Sequence, residues 1–111
     1  KKKKAILYKN VKKKLQTSAT TILTPANATT VIIKSILVCE QSNNGETLNV
    51  TITDTADTPV TFQLFKDKSI SAKATVELLT EPLVLAELET LKATGASNDR
   101  LHMVVSYQEI S

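Results

Sequence analysis

The sequence predicts an all-β fold: a single β-sandwich of about eight strands, jelly-roll-like, with a basic N-terminal arm. Three observations point there. Thr29 to Glu40 is the densest apolar run in the chain and is rich in β-branched residues, as a central strand should be. Leu48-Val50-Ile52, Val60-Phe62-Leu64 and Leu101-Met103-Val105-Tyr107 each alternate with mostly polar neighbours, the period of a half-buried strand. These segments are short, regularly spaced and not separated by long helical patterns, which favours a sandwich or barrel.

Length and composition agree. A chain of 111 residues normally makes one domain with one core. Branched aliphatics and Thr dominate, whereas aromatics are 4%, Gly is 2 and Trp is absent. That composition disfavours disorder, a sugar-stacking surface and a phosphate-cradling loop. Cys39 is the sole cysteine, so an intrachain disulfide or a thiolate metal site is excluded. It reads as a small apolar residue on the central strand. The longest apolar run falls well short of the ~20 residues that span a bilayer as a helix. Ala5 to Tyr8 is too short for a signal-peptide core. No membrane partner is expected.

The charge is divided along the chain. Lys1, Lys2, Lys3, Lys4, Lys9, Lys12, Lys13 and Lys14 are eight of the 14 basic residues, and no acidic residue precedes Glu40. From Leu15 onward six basic residues face 11 acidic ones, a net charge of −5. Residues 1–14 therefore read as a basic arm and 15–111 as the sandwich domain. Ile6, Leu7, Tyr8 and Val11 interrupt the lysines and would dock the arm, so these four and the eight lysines form the candidate partner-binding set. On this reading, deleting residues 1–14 leaves the domain folded.

In order along the domain, Thr17 to Thr24 reads as a first strand and Pro25-Ala26-Asn27 as a turn. The central strand follows. Asn44-Gly45 is a hairpin signal leading into the strand around Leu48 to Ile52. Asp54 to Pro59 is a polar loop before the strand around Val60 to Leu64. Lys66-Asp67-Lys68 reads as a turn, and Ile70 to Leu78 as a fifth strand. Glu81 to Thr94 is ambiguous. Its local propensity suits a helix over Pro82 to Ala93, capped by Gly95, but two short strands, Leu83 to Ala86 and Thr90 to Thr94, fit equally. The final strand starts near Leu101. The expected core is Ile33, Leu37, Val50, Ile52, Phe62, Leu64, Val76, Leu78, Met103 and Val105.

Candidate chemistry is sparse. His102 is the only histidine, and Ser106 lacks the glycines of a nucleophile elbow. Asp54 and Asp57 fit an Asp-stabilised turn better than a cation site. Glu81, Glu87 and Glu89 come without substrate-stacking aromatics and read as a solvated acidic face. Asn27-Ala28-Thr29 and Asn49-Val50-Thr51 match the glycosylation pattern, which a Thr-rich chain produces by chance. No catalytic residue, metal or cofactor is expected. Nucleic-acid contact is disfavoured because the body is acidic and Tyr8 is the only aromatic among the lysines.

Three segments together resemble a family of small virion structural proteins of tailed bacteriophages, including cyanophages. They are Ala19 to Thr30 with its Pro25-Ala26-Asn27 turn, Val31 to Glu40 with its Lys34-Ser35 step, and Leu101 to Ser111 with its closing Ser106-Tyr107. The resemblance spans residues 17–111. Two departures stand out: Glu40-Gln41 where the family often has Asn, and Leu88-Glu89 where it tends to have Gly-Asp. The resemblance implies a non-enzymatic capsid decoration or cement subunit, located in the virion and bridging shell subunits. Its partners would be the major capsid protein or neighbouring virion subunits, with self-association into a homo-oligomer. A neck, tail or fibre component and a receptor- or glycan-binding module are the alternatives.

Overall fold

The computed structural model describes residues 5–111. It has nine strands: β1 (Ile6–Lys14), β2 (Thr20–Leu23), β3 (Thr30–Glu40), β4 (Glu46–Asp54), β5 (Val60–Ile70), β6 (Thr75–Glu77), β7 (Leu83–Leu85), β8 (Glu89–Gly95) and β9 (Leu101–Ile110). They form two antiparallel sheets. The first runs β1-β9-β3, with β6 and β7 both paired to the far side of β3, and the second runs β2-β8-β4-β5. Most consecutive strands cross from one sheet to the other. With β6 and β7 taken as one interrupted strand, the eight positions follow the order of a jelly roll. Leu15, Val31, Ile33, Ile36, Val38, Leu48, Val50, Leu85, Leu91, Leu101 and Val105 lie between the sheets with no exposed surface.

The central strand is not a simple alternation. Val31 and Ile33 point inward, but so do Ile36, Val38 and Glu40. The switch from odd to even positions occurs at a bulge between Ile33 and Ser35, where the register against β9 shifts. Leu37, expected in the core, is therefore on the outer face and 40% exposed. Phe62 is the other correction, at 54% exposed. It lies on β5, the free edge of the second sheet, and the corresponding edge of the first sheet is the broken pair β6 and β7. There is little opposing sheet to cover it. Ile33, Val50, Leu78, Met103 and Val105 are buried as expected, and Ile52, Leu64 and Val76 pack at the margin of the core.

Glu81 to Thr94 is two strands, not a helix, but β7 and β8 belong to different sheets. The turn between them places Leu88 at φ 69°, a conformation that favours glycine. This is the position where the resemblance implies Gly-Asp. The Asn44-Gly45 signal also does not make a hairpin. It joins β3 to β4 across the sandwich, and Gly45 has no positive φ. Lys66-Asp67-Lys68 is a bulged part of a continuous β5, with Asp67 at φ 49° and its N–H donated to Asn49 Oδ1 at 3.0 Å. The expected fifth strand, Ile70 to Leu78, is instead the end of β5, a crossing loop and β6.

Much of the expected arm is sheet. Ile6 to Lys14 pairs with β9 over its whole length, from Ile6 opposite Ile110 to Lys14 opposite His102. The lysines disguise a strand in which Val11 packs against the core and the chain runs directly into fully buried Leu15. Lys1 to Lys4 lie outside the described residues. Gly95 at the end of β8 is needed for close approach rather than for a cap: a Cβ there would sit 3.2 Å from Leu15 Cβ and 3.3 Å from the Ser97 carbonyl oxygen. Deletion of residues 1–14 would strip an entire strand and bare the edge of β9, so the expectation that it is harmless is reversed.

Two stability measurements check this description. Ile36→Ala should cost about 2–5 kcal/mol through lost burial and a cavity, whereas Leu37→Ala next to it should cost less than about 1 kcal/mol. Equal losses in denaturant titrations would contradict the inverted register. Leu88→Gly should raise the stability by up to about 1 kcal/mol. It relieves about 1–2 kcal/mol of left-handed strain, partly offset by the greater freedom of glycine in the unfolded chain. A fall in melting temperature would argue against the turn geometry.

Candidate interaction surface

The candidate partner-binding residues share one strand but not one face. Pairing places residues opposite each other on the same side of the sheet. Val11 lies opposite buried Val105 and Lys13 opposite buried Met103, so Leu7, Lys9, Val11 and Lys13 point toward the sandwich interior side. Ile6, Tyr8, Lys12 and Lys14 point to the outer face. Val11 is half-buried in the core margin and is not free to dock. Lys9 is engaged: its Nζ lies 2.9 Å from Glu109 Oε1. That hydrogen bond, together with the charge of Glu109, raises the Lys9 pKa from its ordinary value. Ile6, Leu7 and Tyr8 are exposed, at 53%, 48% and 80%. Among the described residues, no strand pairs with the other main-chain edge of β1. Lysines on such an edge oppose unwanted strand addition.

The outer faces of the two sheets differ. On the second sheet, Asn49, Thr51, Thr53, Thr61, Gln63, Lys92 and Thr94 line a polar surface, with Thr53 and Thr61 hydroxyls 3.0 Å apart. On the first sheet, cross-strand rows carry Ile6 with Ile110, Tyr8 with Gln108, Ile32 and Val84, and Lys12 with Val104, Leu37 and Glu77. Val84 and Leu37 are exposed at 58% and 40%. Alternation in β9 offered the signal for this face. In β3 the continuous apolar run hid it.

Two carboxylates that sequence reasoning missed hold the framework. Glu77 accepts hydrogen bonds from the Ser35 hydroxyl, from Ile36 N–H at 2.7 Å and from Leu79 N–H at 3.2 Å. Partial burial alone would raise its pKa, but these donors outweigh it and hold the carboxyl below the ordinary value. Glu40 is 1% exposed. Its carboxylate accepts from the Ser42 hydroxyl at 2.6 Å, Ser42 N–H at 3.0 Å and Lys73 N–H at 3.2 Å, tying two crossing loops together. Desolvation again pushes upward, and these bonds with the Arg100 charge bring it below the ordinary value. Nearby, Arg100 meets buried Glu46 at 3.0 Å.

The other candidates do not converge. His102 lies opposite Cys39 and Lys14 on the outer face, and Ser106 opposite Ser35 and Asn10. Asp54 Oδ1 accepts Ala56 N–H at 3.0 Å, the turn role expected of it, and Glu89 accepts Ala86 N–H at 2.7 Å. Glu87 accepts the Ala28 N–H. Glu81 sits exposed before β7. Among the described residues, no group of three or more His, Cys, Asp or Glu is arranged to hold a metal. No helix of the described residues is long and apolar enough to cross a membrane. The fold and surface define a jelly-roll domain with one polar outer face and one on which apolar and polar rows alternate. No family model, curated protein or solved structure matches the chain.

Glu77→Ala should destabilise the protein by about 1 kcal/mol, the low range for charge-assisted bonds because the carboxylate faces water. The pH dependence follows from both depressed carboxyls. Their contribution is fully present above the ordinary value of 4.5 and is lost as pH falls through the depressed folded values. Melting temperature should therefore fall on acidification below about pH 4.5. In a Glu40→Gln/Glu77→Gln double variant that fall should be shallower, and an unchanged acid profile would refute the roles assigned.

Proposed function

We propose that this chain is a non-enzymatic structural subunit of a phage virion, a capsid decoration or cement protein that attaches to an acidic face of the shell. The observation that carries this reading is the placement of the charge. Eight lysines precede an otherwise acidic body, and those of β1 run along an outermost strand beside exposed Ile6, Leu7 and Tyr8. The resemblance of residues 17–111 to small phage virion proteins supports it, as does a jelly-roll frame able to present a rigid edge. Attachment would combine several weak ion pairs with burial of Leu7, the exposed apolar side chain on the same side of β1 as Lys13. Each exposed pair contributes about 0–1 kcal/mol, so no single lysine dominates.

Replacing Lys1, Lys2, Lys3, Lys4 and Lys13 with Gln keeps β1 and removes much of the charge. The folded domain should persist by circular dichroism. Cosedimentation with purified capsid shells should weaken by about tenfold or more, the sum of several small electrostatic terms. Raising salt should weaken the parent chain partly, because screening leaves the apolar contribution intact. Equal binding by both chains would overturn the attachment mechanism.

A further inference from the structure

We propose that the outer face of the first sheet is a self-association surface, joining two copies face to face about a two-fold axis parallel to the strands. The solvent face of a sandwich is ordinarily polar, as the Thr-rich face of the second sheet is. The first sheet instead carries apolar side chains in two cross-strand rows, separated by the polar row of Asn10, Ser106 and Ser35. Tyr8, Ile32 and Val84 span one row with Gln108 between the first two, and Val104 with Leu37 forms the middle of another. A plane four strands wide and ten residues long covers roughly 600 Å², the size class of one side of a specific interface.

Charge selects the occupant and the axis. The second row begins with Lys12 at one edge of the sheet and ends with Glu77 at the other. Rotation about an axis parallel to the strands sets each edge of one copy over the opposite edge of the next. Lys12 then lies over the partner's Glu77, and Glu77 over the partner's Lys12. Val104 meets the partner's Leu37, and Tyr8 meets the partner's Val84. A two-fold axis across the strands would exchange the rows and set Lys12 over Tyr8 and Glu77 over Val84, burying both charges against apolar groups. The face is thus self-complementary in one arrangement, as an isologous dimer requires. Leu7 and Lys13 point away from it, so this association does not depend on shell attachment and needs no shell to test.

The test is sedimentation equilibrium of the full chain over a concentration series. A dimer is expected. Val84→Glu and, separately, Tyr8→Glu should each weaken it by at least about tenfold by burying an unpaired charge, while Thr51→Glu on the polar face leaves it intact. A monomeric parent chain, or a dimer indifferent to both face variants, overturns the proposal. The arrangement is read by cross-linking in a Cys39→Ser background. Tyr8→Cys with Val84→Cys in one chain should form an intermolecular disulfide under mild oxidation, and neither single variant should. Cross-linking by a single variant alone would overturn the axis assigned.

Discussion

The arrangement of the sandwich depends on the bulge in β3 and on the carboxylate that fills it. Val31 and Ile33 face inward on one side of the bulge, and Ile36 and Val38 on the other. An unbulged strand that kept Ile33 inward would turn Leu37 into the core, and Ile36 and Val38 out of it. The extra residue leaves main-chain groups without a ladder partner, and Glu77 accepts the Ile36 N–H from the neighbouring strand. The same place interrupts the outer strand. β6 pairs with β3 beyond the bulge and β7 before it, with Leu78 N–H donating to the Ile36 carbonyl at 2.9 Å as the pairing ends. One carboxylate thereby links a register change in the central strand to a break in its neighbour.

That break has consequences at both margins of the sandwich. The shortened edge leaves Phe62 and Val60 of β5 uncovered. It also fixes which side chains of β3 reach the outer face: Ile32 before the bulge, Leu37 and Cys39 after it. Because β9 alternates without interruption, Val104 lines up with Leu37 and Gln108 with Ile32. The order of side chains across this face is thus set by an irregularity in the core strand meeting a regular neighbour. The second sheet takes its bulges on its outer strands, β2 and β5, and its β4–β8 ladder sets Asn49, Thr51 and Thr53 opposite Thr94, Lys92 and Thr90. Hydroxyl and amide groups satisfy one another there or water, and that face has no need of a cover.

Legibility in the sequence followed the same division. Leu48-Val50-Ile52 and Leu101-Met103-Val105 alternate cleanly, and their burial was readable because polar partners mark the other face. Val31 to Val38 is apolar on both faces, so the sequence held no information on where its phase would switch. Turn chemistry misled in a different way. Asn44-Gly45 correctly marks a reversal, yet a local signal does not say whether the chain returns in the same sheet or the opposite one. Helical propensity in Glu81 to Thr94 was overridden by pairing with β3 and with β2 and β4, contacts far away in sequence. β1 was hidden by composition. Lysine is a poor strand former in isolation, but at an edge it keeps its charge in water while its main chain completes a ladder.

The position of β1 also explains how one lysine-rich segment can serve more than one contact. A strand at the edge of a sheet presents two faces and one free main-chain side. Pairing with β9 gives the outer face Ile6, Tyr8, Lys12 and Lys14, and the inner side Leu7, Lys9, Val11 and Lys13. Val11 secures the strand to the core, and Lys9 is held by Glu109, which together fix the strand's orientation at its middle. An untethered arm would present all of these residues to whichever partner came first. The strand cannot do so: a surface that meets Tyr8 and Lys12 is on the opposite side from Leu7 and Lys13. In the arrangement proposed, association between copies would take Tyr8 and Lys12 on the outer face and leave Leu7 and Lys13 on the opposite side for a second partner.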